Sequence, residues 1–396
     1  MSMQATHVSS RSRKRLVVSS LACAVIIALA APAAAGPREQ ARRIHDRLAG
    51  VPPAASVLDT MEADVAGGRA VDAAYAAMDN SSFYNVTLKN FVTPWTNRDR
   101  TVFAPLNDYT ATVIGMVRDD VPFNTLLSAN LVYVGKSNLG LPAYSMSNND
   151  HYETMESRGV DLKTGLMSTQ QSAVSNIPAS ATAGIFTTRG AASAFFFAGT
   201  NRAMFRFTML NHLCHDMEQV KDITRPPDRI RQDVTRSPGG DSRIFLNNCI
   251  GCHSGMDPMA QAFAYYEFDQ TSNSLVYTAN QVQGKYHINT DNFKYGYSTP
   301  DDHWTNYWRQ GQNALLGWSS TLPGAGNGAK SMGEELESSE AFAECQVTKV
   351  FENVCFRAPV DGNDGAQIDA MVASFKASNY HLKEVFAESA VYCMGE

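Results

Sequence analysis

Apolar side chains recur at helical spacing through most of this chain, and the segments between them carry the turn formers. Residues 38–48 are charged and amphipathic and stop at Gly50 and Pro52-Pro53, which predicts a helix with a glycine terminus. Residues 54–65 and 71–78 read as two further short helices. Residues 80–99 are rich in Asn, Thr and aromatics and read as irregular or extended. Helical patterning returns over 108–119 and 123–131, whereas 135–182, full of Ser, Asn and Gly, reads as loop. Beyond that, Ala203, Phe207, Leu210 and Cys214 form a helical stripe over 201–215, followed by a Pro/Arg/Asp/Gly loop over 224–241. Asp241 or Ser242 is placed to cap a short helix that starts there. Asp257-Pro258 reads as a cap and a first-turn proline, opening a helix over 259–268 crowded with Phe263, Tyr265, Tyr266 and Phe268. Residues 286–318 are aromatic and irregular. Residues 332–356 predict one long helix with Val347, Val350, Phe351 and Val354 on a face, and 367–377 and 382–390 predict two closing helices. The expected fold is mainly α with long loops, and no internal repeat is evident.

The first 35 residues have a different pattern. Residues 1–10 are uncharged at neutral pH, Arg11, Arg13, Lys14 and Arg15 form a basic cluster, and an apolar run over 16–31 leads to Ala33-Ala34-Ala35. This is the layout of a secretory leader cleaved before Gly36. A membrane anchor is the other reading. The run is shorter than the ~20 residues that span a bilayer, and Ser19 and Ser20 interrupt it. Export implies a periplasmic or otherwise extracytoplasmic protein, with no stable membrane insertion once the leader is removed.

Charge then limits the partners. The whole chain carries −6; the leader holds four basic residues and no acidic one, so its loss leaves −10. An acidic surface disfavours nucleic acid and anionic lipid and permits docking to a basic protein. Of seven cysteines, Cys23 leaves with the leader and Cys249 and Cys252 belong to the motif below, which leaves Cys214, Cys345, Cys355 and Cys393. An even number in an oxidising compartment suggests two disulfides; buried free thiols are the alternative. Cys345 and Cys355 fall on one predicted helix, ten positions and ~15 Å apart, too far for a direct bridge. The two remaining pairings tie that helix to Cys214 and Cys393.

The most specific chemical signal is Cys249-Ile250-Gly251-Cys252-His253. Cys-x-x-Cys-His is the attachment signature of a c-type haem. Two thiols three positions apart share a helix face, so each can form a thioether with one vinyl group, and the adjacent imidazole can ligate the iron. Cys249 and Cys252 are therefore the candidate anchors of one covalent haem c, and His253 its iron ligand. A zinc ribbon would need a second Cys-x-x-Cys, which the chain lacks.

The stretch Asn247-Asn248-Cys249-Ile250-Gly251-Cys252-His253-Ser254-Gly255-Met256-Asp257-Pro258, with Ala264-Tyr265-Tyr266-Glu267-Phe268-Asp269 after it, resembles the planctomycete-type cytochrome c-like exported proteins of uncharacterised function. Residues 184–190 and 342–354 are similar to the opening and closing parts of the same region. The resemblance implies an exported, haem-binding, mostly helical protein and no particular reaction. It divides the chain into a leader (1–35), an N-terminal mostly helical region (36–182) and a helical cytochrome c-like haem domain (183–396).

The iron's sixth position separates two functions. A Met or His there makes an electron carrier, and an open site permits peroxide or oxygen chemistry. Met332 is the suggestive Met, with His287, His45 and His381 as rivals; each also has an ordinary reading as a core or surface side chain. His212 and His215 lie three apart on a helix, but with no convergent further ligand they read as surface or loop-facing. Among Arg225, Arg229, Arg231, Arg236 and Arg243, one or two are placed to pair with haem propionates, against a solvated basic loop as the simpler reading. The expected function is single-electron transfer by an exported monohaem c-type cytochrome to redox partner proteins. The alternative is a haem peroxidase or oxygenase.

Overall fold

Helix formation is set by where the apolar residues fall, and the computed structural model shows it over residues 35–197, 199–231, 242–288, 290–292 and 294–395, the residues described below. All but the last residue of the expected leader, and Asp241, one of the two candidate caps, lie outside them. Counting helices of seven residues or more, the chain forms α1 (Pro37–Ala49), α2 (Ala55–Ala66), α3 (Ala70–Met78), α4 (Asp108–Arg118), α5 (Asp150–Ser157), α6 (Arg189–Phe195), α7 (Arg202–His212), α8 (Ile250–Ala260), α9 (Gly328–Glu337), α10 (Glu340–Cys355), α11 (Gly362–Ala377) and α12 (Leu382–Tyr392). Among the described residues, strands are confined to three antiparallel ribbons: β1 (Val132–Gly135) with β2 (Leu166–Thr169), β3 (Tyr266–Asp269) with β4 (Ser274–Tyr277), and β5 (His303–Thr305) with β6 (Ala325–Asn327). The protein is thus mainly helical, as the patterning predicts.

Helix α1 shows the local logic. Pro37 occupies its first turn, Ala41, Ile44 and Leu48 bury one face, and Gly50 ends it at φ +70°, where a side chain would be strained. Ile44 and Leu48 each contribute ~1.5–3 kcal/mol on burial. α1, α2 and α3 pack on one another, and α12 returns from the end of the chain to cover α1 and α3. Helix α4 is the most enclosed: Asn107 caps it by accepting the Thr110 N–H, and every residue from Asp108 to Val117 is buried. The buried Asp108 carboxylate accepts the backbone N–H groups of Arg189 and Gly190, at 2.6 and 2.8 Å, and so fixes the start of α6. One hydrophobic cluster takes residues from both sides of position 183, from Ala41 to Ala390.

Several segments depart from the sequence expectation. Residues 80–99 are helical rather than irregular, with a π-turn at Phe83–Leu88, α-helix at Lys89–Val92 and a 3-10 turn at Thr93–Thr96. Phe83, Tyr84, Leu88, Phe91, Val92 and Trp95 are all buried there, and their packing outweighs the weak propensity of Asn and Thr. Over 123–131 only a single turn, Phe123–Thr125, is helical, and the 135–182 loop contains α5 and strand β2. The helix expected over 259–268 gives way to strand β3, in which Tyr266 and Phe268 are buried and alternate with half-buried Glu267 and Asp269. The long helix expected over 332–356 is two helices. Ser339 breaks it, its hydroxyl accepting the Phe342 N–H as a new N-cap.

The four remaining cysteines pair as Cys214–Cys345 and Cys355–Cys393, with Cα separations of 5.3 and 5.5 Å. α10 is therefore tied to other parts of the chain in its second turn and at its last residue, one of the two arrangements that the helix geometry leaves. Among the described residues, no helix is long and apolar enough to cross a membrane.

Candidate functional site

The haem-type motif sits on a change of helical pitch. A π-turn over Phe245–Cys249 runs directly into α8, so Cys249 closes the wider turn and Cys252 and His253 lie in the first turns of the α-helix. Single π-turns of this kind recur at functional sites, because they re-aim side chains without ending the helix. Asp257 and Pro258 do not open a new helix as the sequence suggests; both are buried within α8.

Three contacts seat α8. The segment before it runs alongside: the Asp222 N–H donates to the Gly251 carbonyl at 2.9 Å, and the Ser254 hydroxyl donates to the Asp222 carbonyl at 3.0 Å. Gly255 lets the helix approach buried Trp308 so closely that a Cβ there would stand 2.0 Å from the indole Nε1. Helix α7 supplies the third contact through Arg202, which lies at its first position. Arg202 Nε donates to Asp257 Oδ1 at 2.9 Å and Arg202 Nη2 to Oδ2 at 3.1 Å.

Cys249 and Cys252 are both unbridged and half-buried. The Cys252 thiol lies 3.3 Å from the Met217 carbonyl, and burial pushes its pKa up. His253 is mostly enclosed, its side chain 19% exposed, and Phe245 lies beside it with ring centroids 5.9 Å apart. Its Nδ1 meets Asp257 Oδ1 at 3.1 Å. That contact assigns Nδ1 to the carboxylate and makes Nε2 the ring nitrogen available to a metal. Burial alone would push the Asp257 carboxyl up. Arg202, then Arg231 and His253, outweigh burial and hold it well below the usual carboxylate range. Arg231 is itself almost wholly buried, 3.4 Å from Asp257 Oδ1, with its guanidinium 5.1 Å from the centre of the Tyr286 ring.

These residues fit a thioether-linked haem. Two unbridged thiols and an oriented histidine share the start of one helix. Ile223, Ile244 and Leu246, exposed by 71, 41 and 55%, present apolar surface in the same segments. Such surface suits a flat apolar macrocycle.

Apart from Arg231, which reaches Asp257, the other expected contributors make contacts of their own. Phe263 and Tyr266 join the core against Phe186 and Phe196 rather than the motif, where Phe245 is the adjoining ring. Met332 is wholly buried on α9 within the main core. His45 is buried with Nδ1 on the Val51 carbonyl, His287 is exposed and meets Ser298 Oγ at 3.1 Å, and His381 precedes α12. His212 is not on the surface as expected. It is buried, with Nε2 2.7 Å from the Tyr109 hydroxyl. Among the arginines, Arg225 pairs with Asp222 and Arg231 with Asp257, while Arg236 lies outside the described residues. Among the described residues, no three or more His, Cys, Asp or Glu side chains converge as a metal cage. Arg202 and Asp257 are the site residues that sequence reasoning missed. The four-residue step from His253 to Asp257, one turn of helix, was the available signal. No family profile, curated protein or solved structure matches the chain.

Proposed function

We propose that the protein is an exported, periplasmic c-type cytochrome that carries one haem and passes single electrons to and from redox partner proteins. Cys249 and Cys252 would hold haem c through thioethers, with His253 Nε2 on the iron. When bound, the group supplies a one-electron couple. The observation that carries this reading is selective: Cys214, Cys345, Cys355 and Cys393 are bridged in pairs, whereas the two thiols beside a carboxylate-oriented histidine are not. The resemblance over residues 247–258 points the same way. It makes 183–396 the haem-bearing region and leaves 36–182 as a docking surface or shield. The acidic mature chain suits a basic protein partner.

A haem enzyme with an open distal position is the second reading. The carboxylate behind His253 favours it, because an anionic partner on a proximal histidine stabilises oxidised iron. One preparation tests both readings. The mature chain, made in a host competent for cytochrome maturation and run on a denaturing gel, is expected to stain for covalent haem; a blank band refutes both. In solution, low-spin spectra that ignore carbon monoxide and cyanide mark a carrier. High-spin spectra that respond to them, with peroxide turnover, mark an enzyme. His253→Ala is expected to lose the native axial ligation while keeping the thioethers.

A further inference from the structure

The sequence Met256-Asp257-Pro258 reads as punctuation between two helices, yet the structure places the Asp257 side chain at 0% exposure inside α8. A carboxylate with no access to water is costly unless it is paired and hydrogen-bonded. Here it is surrounded. Arg202 grips both oxygens from the start of α7, Arg231 reaches Oδ1 from the other side, and His253 approaches Oδ1 from one turn earlier on the same helix. An ion-paired cluster that only joined α7 to α8 would need Arg202 and Asp257 alone. Arg231 and the histidine are the extra members, and the histidine is the residue that ligates the iron in the reading above.

We infer that Asp257 is the positioning residue of the axial histidine, and that Arg202 and Arg231 set how strongly it acts. The inference rests on the haem reading of His253. A carboxylate acceptor at Nδ1 fixes the ring hydrogen there, fixes the plane of the imidazole, and raises the basicity of Nε2. Each arginine that shares the same oxygens draws charge away from that contact. The site is therefore a balance: one anion strengthens the ligand, and two cations temper it. This assigns a role to the Met-Asp-Pro extension that follows the haem motif.

The balance gives two variants with shifts of opposite sign. Asp257→Asn removes the anion, leaves two guanidinium groups beside His253, and weakens Nε2 as a donor. Ferric iron loses stabilisation and the midpoint potential rises. Arg202→Gln removes one cation, strengthens the carboxylate's hold on Nδ1 and lowers the potential. The Arg202 side chain is 21% exposed, so this variant is informative even if Asp257→Asn fails to fold. The experiment is a spectroelectrochemical titration of the haem-loaded mature wild-type chain and both variants, with haem staining on each. Opposite shifts with haem retained support the positioning role. Haem retained, with the Arg202→Gln potential equal to that of the wild type or above it, overturns that role and leaves the haem reading intact. A wild-type chain that stains blank removes the haem reading, and this inference with it.

Discussion

Gly255 is a residue whose side chain is absent for a reason. Helix α8 and the Trp308 indole occupy the space a methyl group would need, with 2.0 Å between a built Cβ and Nε1. Trp308 is fully buried and has nowhere to retreat without moving its own neighbours. Gly255→Ala gains helix propensity but overpacks this contact, and the net cost is expected to be about 1–3 kcal/mol. Urea unfolding followed by tryptophan fluorescence measures it; a variant as stable as the wild type would show that α8 can shift off Trp308. Nothing in the sequence marks this glycine, because Trp308, the partner that requires it, is far away along the chain. The Cys-x-x-Cys-His spacing itself is visible without any fold, because it is an order of residues along the chain. The Asp257 partnership was not legible as such, since an Asp before Pro signals a cap unless the buried arginines that hold it are known.

At the scale of elements, the cysteine pairing was legible only in part, as far as a helix is a ruler. Cys345, in the second turn, and Cys355, at the end, lie on one rigid rod, so each had to find its partner elsewhere, and two pairings stayed open. The Cys214–Cys345 bridge joins the end of α7 to α10 across 131 residues of sequence. Replacing both cysteines by Ala is expected to cost about 2–5 kcal/mol, most of it through the freer unfolded chain. Thermal denaturation with and without reductant checks this: both proteins lose Cys355–Cys393 on reduction, only the wild type also loses Cys214–Cys345, and the gap between their midpoints should therefore close. Elements defined by amphipathic stripes, such as α1, α7 and α12, emerged close to their predicted limits. The helical turns over 83–96 and the strand over 266–269 did not. In the first, tertiary burial overrode composition; in the second, a four-residue alternation was too short to stand out from a helix rich in aromatics.

At the scale of the molecule, a buried polar contact lies where the two halves of the sequence meet. His212, at the end of α7, bonds the Tyr109 hydroxyl of α4 and lies edge-on to the Trp95 ring. Burial, and then the Lys349 ammonium, push its pKa well below the ordinary histidine value. The sign follows directly. Below about pH 6.5 the unfolded chain takes up a proton on this residue and the folded chain does not, so stability falls on acidification, by up to ~1.4 kcal/mol per pH unit. His45, lowered by burial as well, adds in the same direction. His212→Gln is expected to flatten the profile between about pH 7 and pH 5; a slope equal to that of the wild type in urea titrations would remove His212 from the account.

The return of α12 over α1 and α3 has a consequence for synthesis. A chain that emerges N-terminus first presents Ala73, Ala74 and Ala77 long before Val385, Phe386 and Ala390 exist to shield them. The opening helices must therefore wait, loosely held, until nearly the last residue is delivered. During that interval the Cys249–His253 segment is already out and not yet locked against its neighbours, which leaves a window for any enzyme that must reach both sulfurs before the fold shuts around them.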